Sequence, residues 1–250
     1  MNQVNKRHLP LSGAYNFRDL GGYRTHTGEM TKWRRILRAD CPHRLSSDDI
    51  SKLMGEGLTT VIDLRSNNET ENNVNPFATM TGVAYQNVGL FDHLAPDTMH
   101  DEKSQPEADP LFGFYVKTLA NRQTAIRNVL SAIANAQDGM VMFHCTAGKD
   151  RTGLISALLL GLAEVEESEI VSDYAQTKLL IADLVLEFLE LAKENGTNLA
   201  NYRRLLDCKP ETMRNVVGHI NDSYQSVPGY AAEIGLQPEL ITRLSSRLLV

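Results

Sequence analysis

Residues 140–163 read MVMFHCTAGKDRTGLISALLLGLA. The apolar residues from Met140 to Phe143 predict a short buried strand, and the apolar run that follows Gly153 is long enough for a buried helix. Between these two elements lies a short loop that contains a cysteine, a glycine and an arginine. The sequence therefore predicts a strand-loop-helix junction, with polar residues at the carboxyl end of the strand.

The loop has the residue types of an anion-binding turn. Cys145 and Arg151 are separated by five residues, with Gly148 between them. A turn of this length can direct successive backbone N–H groups at a tetrahedral anion, and the following helix adds unpaired N–H groups and the positive end of its dipole. We therefore expect the turn to bind phosphate through Thr146, Ala147, Gly148, Lys149 and Arg151.

The same positive surroundings favour a reactive thiol. Backbone amides, the helix amino terminus and a guanidinium stabilise the thiolate form of Cys145 rather than the thiol. The planar fork of Arg151 can hold two phosphoryl oxygens and tighten on the charge that spreads over them in a transition state. We expect Thr152 to donate its hydroxyl to Cys145, and His144 to orient the loop rather than to transfer protons.

Segment 144–153, HCTAGKDRTG, fits the HCxxGxxR signature of protein tyrosine phosphatases. Its GKDR variant is similar to a bacterial subgroup of tyrosine and lipid phosphatases, which NFRDLGGY at 16–23, RRILRAD at 34–40 and IDLRS at 62–66 also resemble. The resemblance implies hydrolysis of phosphomonoesters through a cysteinyl-phosphate intermediate, without a metal or an organic cofactor. It implies phosphotyrosine as substrate, with phosphoserine, phosphothreonine and phosphoinositides as further classes, and inorganic phosphate as product.

The sequence leaves the general acid open between two aspartates. A WPD-type loop cannot be identified, because the single tryptophan is Trp33 and Arg34 follows it. The resemblance implies Asp150, beside Arg151 in the cradle, and we prefer it to Asp92 in the long loop before Pro110. A plain ion pair between Asp150 and a neighbouring arginine is the structural alternative.

Lys149 has two interpretations of equal weight. The first places its charge at the mouth of the pocket, where the resemblance links it to substrates with additional phosphates, including phosphoinositides. The second is a solvated surface charge.

The flanking segments predict the rest of the fold. Strands near residues 59–64, 83–88 and 140–143 alternate with helices, which indicates an α/β fold with a central, mainly parallel sheet flanked by helices, as in cysteine phosphatases. Residues 66–76 are expected to form a surface loop without catalytic groups. A single helix is expected from about Ser168 to Lys193. Small strands or a hairpin are expected near the amino terminus, as a lid or an edge structure.

Two neighbouring pairs of opposite charge are expected to support the loop. These are Arg18 with Asp19, and Asp63 with Arg65 after the first of the three strands. We interpret Asp63 and Arg65 as structural rather than chemical.

Composition limits the class of protein. The 250 residues predict a single phosphatase domain, 1–250, with a helical carboxyl-terminal part. The net charge of -6 argues against nucleic acid as a partner. Three cysteines without zinc spacing favour a reducing compartment and no structural metal. Without an apolar run of about 18 residues, we expect no membrane span and a cytoplasmic location by default, while export without a cleaved signal stays open.

Two other functions share parts of this pattern. A phosphate-binding module without turnover would have replaced Cys145 or Arg151, yet both are present. A rhodanese-type sulfurtransferase also carries a cysteine at a strand-loop-helix junction, but its chemistry does not require an arginine six positions later. The hydrolase is therefore the preferred function, while its natural substrate and oligomeric state stay open.

Overall fold

A five-stranded sheet forms the centre of the computed structural model, which describes residues 7–91 and 109–249. The strands are β1 (Arg18–Asp19), β2 (Ile36–Ala39), β3 (Leu58–Asp63), β4 (Ala84–Asn87) and β5 (Met140–His144). Their order is β1-β2-β5-β3-β4, with β1 antiparallel to β2 and the other pairs parallel. The expected α/β fold with a mainly parallel sheet is confirmed, and the strand near the amino terminus lies at its edge.

The register brings three strand ends to one level. His144, the last residue of β5, pairs with Ala39 of β2 and with Asp63 of β3. Carboxyl ends of parallel strands meet at one edge of a sheet, and loops at this edge are the usual place for a ligand site. The residues that directly follow β2, β3 and β5 are therefore neighbours in space.

Helices cover both faces of the sheet. Those within the described residues are α1 (Ser47–Gly55), α2 (Asn67–Asn72), α3 (Pro110–Asn121), α4 (Gln123–Ala134), α5 (Asp150–Leu162), α6 (Glu167–Leu180), α7 (Ala182–Glu194), α8 (Leu199–Leu206), α9 (Pro210–Tyr224), α10 (Val227–Glu233) and α11 (Pro238–Leu248). None of them is both long enough and apolar enough to cross a lipid bilayer.

Two apolar cores follow from the alternation of side chains along β5. Met140 and Met142 pack on one face with Leu53 of α1, whereas Val141 and Phe143 pack on the other face with the carboxyl-terminal helices. Helix α5 belongs to the larger core and is buried almost all round. It therefore starts at the cysteine loop and runs through the densest part of the molecule.

Two expectations about helices were wrong. Segment 66–76 is not a plain loop, because α2 begins after Ser66, and Ser66 and Glu69 form a capping box at its start. The helix expected from Ser168 to Lys193 is two helices, α6 and α7, separated at the buried residue Ile181. No glycine or proline marks this break, so tertiary packing rather than local propensity decides it.

Candidate active site

The loop between β5 and α5 packs tightly against β2. Gly148 has a φ of +65°, and a Cβ atom at this position would lie 2.7 Å from the carbonyl group of Ala39. Only glycine avoids both the backbone strain and this collision. The glycine predicted at the centre of the turn therefore lets the loop lie directly on the neighbouring strand.

Residues from the amino-terminal part hold the carbonyl groups of the loop. The N–H of Cys41 donates to the carbonyl oxygen of Thr146 at 3.0 Å. Asn16 Nδ2 donates to the carbonyl oxygens of Ala147 at 2.9 Å and of Gly148 at 3.0 Å. Three consecutive carbonyl groups of the loop thus point toward the amino-terminal part of the chain.

Arg38 of β2 holds the third of these carbonyl groups as well. Its Nη2 donates to the carbonyl oxygen of Gly148 at 2.7 Å. In a planar trans peptide the N–H points away from the C=O of the same unit. The N–H groups of Ala147, Gly148 and Lys149 therefore point to the opposite side of the loop, where the cleft lies.

The cleft has one polar wall and one apolar wall. The polar wall consists of the loop residues Cys145, Thr146, Ala147, Lys149, Asp150 and Arg151. The apolar wall is formed, among the described residues, by Phe91, Ile181, Phe188, Tyr202, Leu205 and Leu206. Cys145 lines the cleft and is only 3% exposed. The arrangement can take a molecule with an anionic end beside the thiol and an apolar body against the helices.

Arg151 is held by an acid that the sequence analysis missed. Its Nη1 donates to Glu69 Oε2 at 2.5 Å and its Nη2 to Glu69 Oε1 at 2.7 Å. Nη1 also donates to the carbonyl oxygen of Phe91 at 3.1 Å, and Nη2 to Thr146 Oγ1 at 3.2 Å. Each terminal nitrogen therefore has two acceptors from the protein.

The Glu69–Arg151 contact is an ion pair. Burial alone would raise the pKa of Glu69, but the hydrogen bond and the charge of Arg151 lower this pKa to about 2. Glu69 Oε1 also accepts a hydrogen bond from the Thr146 hydroxyl. The Ser66-to-Glu69 spacing could have revealed α2, but nothing in the sequence pairs Glu69 with Arg151.

Lys149 lines the pocket and is buried, so it is not a solvated surface charge. It is 2% exposed, and its Nζ donates to the carbonyl oxygens of Leu205 at 2.5 Å and of Asp207 at 3.2 Å. Burial alone would lower the pKa of Lys149, but the nearby carboxylate of Asp150 leaves it raised. Lysine at this position therefore links the loop to the end of α8, because backbone carbonyl oxygens there accept hydrogen bonds from its ammonium group.

Asp150 lines the cleft and has two fixed partners. Tyr115 donates its hydroxyl to Asp150 Oδ1 at 2.6 Å, and Lys149 Nζ lies 3.0 Å from the same oxygen. The alternative of an ion pair with a neighbouring arginine is wrong, since the partner is a lysine. Asp92, the other candidate acid, lies outside the described residues.

His144 lies between the backbone of Cys145 and the buried side chains of Asn75 and Asp63. Its Nδ1 lies 3.1 Å from the carbonyl oxygen of Cys145, and its Nε2 lies 2.8 Å from Asn75 Nδ2 and 3.3 Å from Asp63 Oδ2. Asp63 and Arg65 pair at 2.6 Å, as expected. Burial would raise the pKa of Asp63, but His144 and Arg65 hold it well below its usual range. The imidazole is thus fixed in orientation on both sides.

Two further expectations are not met. The buried hydroxyl of Thr152 has no hydrogen-bond partner among the described residues, so the expected bond to Cys145 is not formed in this structure. Arg18 does not pair with Asp19; it contacts Asp173, while Asp19 pairs with Arg34. Within residues 7–91 and 109–249, no group of three or more His, Cys, Asp or Glu side chains is arranged to hold a metal ion.

Comparisons with known proteins identify the family of this chain. A family model described as the tyrosine phosphatase family matches residues 9–250. A tyrosine-protein phosphatase from Nostoc commune is 32% identical over 210 residues, which cover 82% of this chain and 71% of that protein. A triple specificity protein phosphatase from Mycobacterium tuberculosis is 26% identical over 278 aligned positions, which cover 96% of this chain and 98% of that protein. The family match includes the sheet, the cysteine loop and the carboxyl-terminal helices.

Proposed function

This chain belongs to the tyrosine phosphatase family and hydrolyses phosphomonoesters, and from this membership we propose that Cys145 is the nucleophile and Arg151 the phosphate-binding arginine. The observation that supports these roles most directly is the orientation of the loop. Its carbonyl groups are bound from behind by Cys41, Asn16 and Arg38, so its amides face the cleft that contains Cys145. Preorganised amides of this kind stabilise both a thiolate and a phosphoryl group.

In the first step, the thiolate of Cys145 attacks phosphorus. A phosphorus–sulfur bond forms, the ester bond breaks, and the leaving oxygen takes a proton from the carboxylic acid of Asp150. The loop amides and the guanidinium of Arg151 stabilise the charge on the equatorial oxygens. Because both terminal nitrogens of Arg151 already have protein acceptors, the phosphoryl group either replaces one of these acceptors or binds through Nε–H.

In the second step, water attacks the phosphorus of the cysteinyl-phosphate. Asp150, now a carboxylate, accepts a proton from this water, and the phosphorus–sulfur bond breaks to release inorganic phosphate and the thiolate. The Thr152 hydroxyl, which has no partner among the described residues, can donate to the sulfur as it leaves. The nucleophile, the acid-base group and the donor to the leaving sulfur in this cycle are thus side chains of this chain.

The natural substrate that the cleft fits best is a phosphotyrosine side chain in a protein. The wall opposite the loop is apolar and includes Phe91, Phe188 and Tyr202, which suits a phenyl ring. One relative is named for tyrosine and another for triple specificity, which leaves room for substrates besides phosphotyrosine. The resemblance of the loop adds phosphoserine, phosphothreonine and phosphoinositides as further candidates. Lys149 adds little to the case for phosphoinositides, because its ammonium group already donates to the carbonyl oxygens of Leu205 and Asp207.

The test of this function uses hydrolysis of a small aryl phosphate in the presence of a chelator. Cys145→Ser should abolish release of phosphate while the folded variant still binds inorganic phosphate, because a serine hydroxyl stays neutral and is a poor nucleophile here. Cys208→Ser is the matched control, since Cys208 is also buried but does not line the cleft, and it should keep its activity. Full activity in Cys145→Ser would remove the proposed nucleophile.

A substrate panel tests the proposed specificity. Tyrosine phosphopeptides should have a higher kcat/KM than serine phosphopeptides and phosphoinositides. The opposite order would remove phosphotyrosine as the preferred substrate and leave the nucleophile unaffected.

A further inference from the structure

We propose that Asn16 and Arg38 are positioning residues for this reaction, which fix the direction of the loop amides from behind. The proposal rests on the function proposed above and assigns a role to two segments, 16–23 and 34–40, that the chemistry itself does not use. Neither side chain lines the cleft. Both act through the peptide groups of the loop.

The orientation of the Asn16 amide is set by its neighbours. Its Oδ1 accepts a hydrogen bond from Arg18 Nη1, which leaves Nδ2 to face the loop. Its backbone N–H donates to Asp40 Oδ1 at 2.9 Å, at the end of β2. Asn16 is completely buried, so solvent cannot replace these partners. The two bonds from Nδ2 to the carbonyl oxygens of Ala147 and Gly148 are therefore built into the fold.

Arg38 is held in the same way. Its Nη1 donates to Asp173 Oδ2, a carboxylate of α6 that also lies 3.5 Å from Arg18 Nε. Tyr23 donates its hydroxyl to the other oxygen of Asp173 at 2.8 Å. With Nη1 fixed by Asp173, Nη2 of Arg38 reaches the carbonyl oxygen of Gly148. One guanidinium thus links a helix, a central strand and the loop.

The burial of Arg18 next to Arg38 is energetically unfavourable. Arg18 and Arg38 are directly opposite each other on β1 and β2, and both are fully buried. Like charges in such positions repel, and burial of a guanidinium removes its hydration. Burial and the charge of Arg38 lower the pKa of Arg18 to about 10, so Arg18 is still a cation at neutral pH. What the arrangement gains is a fixed donor for the carbonyl group of Gly148.

The consequence for the site follows from peptide geometry. A charged donor on a carbonyl oxygen polarises the whole peptide unit and makes its N–H a stronger donor. The units held here are Ala147–Gly148 and Gly148–Lys149, whose N–H groups belong to Gly148 and Lys149. Asn16 therefore orients both N–H groups toward the phosphoryl oxygens. Arg38, which is charged, orients the N–H of Lys149 and strengthens it as a donor. The same amides favour the thiolate of Cys145.

The sharpest variant is Asn16→Asp, which is nearly isosteric. It keeps an acceptor for Arg18 but replaces both donors to the loop with a carboxylate oxygen that repels carbonyl groups. We expect inorganic phosphate to bind roughly ten-fold more weakly, as for the loss of about one hydrogen bond to a charged group. We also expect alkylation of Cys145 by iodoacetamide to need a higher pH. Titration calorimetry and mass spectrometry of the labelled peptide measure the two effects.

Asn87→Asp is the matched control. Asn87 Nδ2 also donates to two backbone carbonyl oxygens, those of Asp63 at 3.0 Å and of Arg65 at 2.9 Å. The bonds lost are therefore the same in kind and number and do not reach the loop, although Asn87 is exposed where Asn16 is buried. The control should lose thermal stability without a change in phosphate affinity or in the pH of alkylation. If Asn16 had a purely structural role, Asn16→Asp would also lose thermal stability without a change in phosphate affinity or in the pH of alkylation.

A folded Asn16→Asp variant with the phosphate affinity and alkylation profile of the wild type would overturn the proposal. If near-ultraviolet circular dichroism shows that this variant does not fold, Arg38→Lys decides instead. Lysine keeps the charge but cannot contact Asp173 and Gly148 together, so phosphate should bind more weakly; unchanged affinity would again contradict us. Absence of phosphate binding in the wild type would instead refute the proposed function.

Discussion

Glu69 competes with a phosphoryl group for Arg151 wherever that group binds the terminal nitrogens rather than Nε–H. Both terminal nitrogens of the guanidinium donate to the Glu69 carboxylate, which is ionised at neutral pH because its pKa is lowered to about 2. An incoming phosphate is also repelled by this negative charge. At the scale of single residues, the affinity for phosphate therefore depends on how much more strongly Arg151 binds phosphate than it binds the carboxylate of Glu69.

Glu69→Gln should therefore bind inorganic phosphate more tightly, by roughly five- to ten-fold, since a neutral amide competes less well for a guanidinium. Titration calorimetry at neutral pH measures this change. Glu71→Gln is the control, because Glu71 lies on the same helix but is exposed, and it should leave the affinity unchanged. Weaker binding in Glu69→Gln would mean that Glu69 serves mainly to hold Arg151 in place.

The proposed role of Asp150 as the general acid can also be tested with a single substitution. With an alkyl phosphate, Asp150→Asn should lose the basic limb of the pH-rate profile, because the asparagine cannot protonate a poor leaving group. With an aryl phosphate that has a good leaving group, the loss should be much smaller. Equal losses of rate with both substrates, or no loss with either, would mean that another group is the general acid. Asp92→Asn is then the next variant to measure.

At the scale of elements, the junction of β5 and α5 could be predicted from the sequence because its signals are local. The apolar run before Cys145 and the glycine at 148 act within a few residues of each other. The partners of the loop could not be predicted, because they come from distant segments. Glu69 reaches Arg151 from a short helix, and Asn16 reaches the loop from the edge of the sheet. Both contacts depend on how distant segments pack together, which the hydrophobic periodicity of the sequence does not reveal.

Tertiary packing also explains two other features that the sequence did not predict. These are the break between α6 and α7 and the direction of the Lys149 side chain. Ile181 is buried at the break, although its neighbours continue a helical pattern. Lys149 follows a glycine in a loop, where a solvated side chain is the usual expectation. Its ammonium group instead meets the last carbonyl groups of α8, whose position depends on how the carboxyl-terminal helices pack.

Lys149 therefore joins two elements, and Lys149→Met tests that role. Methionine fills the same volume but cannot donate to the carbonyl oxygens of Leu205 and Asp207. We expect thermal stability to fall, as is usual when buried acceptors lose their donor. The ratio of kcat/KM for a phosphoinositide to that for a phosphopeptide should stay within about two-fold, which is a change under 0.5 kcal/mol. A selective loss on the phosphoinositide would instead mean that Lys149 contacts additional phosphates.

At the scale of the whole molecule, the cleft exists only where two parts of the fold meet. The sheet supplies the anion-binding loop, and the helices α7 and α8 supply most of the apolar wall. Tyr15 and Arg44 link the two parts from outside, since both donate to the carboxylate of Glu187 on α7. Binding of the phosphate and binding of the group that carries it are therefore separable properties.

Phe188→Ala makes this separation measurable. Phe188 is on α7 and lines the cleft opposite the loop, so its loss removes apolar contact with an aromatic leaving group. We expect KM for a tyrosine phosphopeptide to rise by roughly three- to ten-fold, in line with the loss of one aromatic contact. The Kd for inorganic phosphate should not change, because a phenyl ring offers phosphate no hydrogen-bond donor. Leu186→Ala is the control, since Leu186 is on the same helix but is 59% exposed. Equal losses of phosphopeptide and phosphate binding in Phe188→Ala would mean that α7 shapes the loop itself rather than the space beside it.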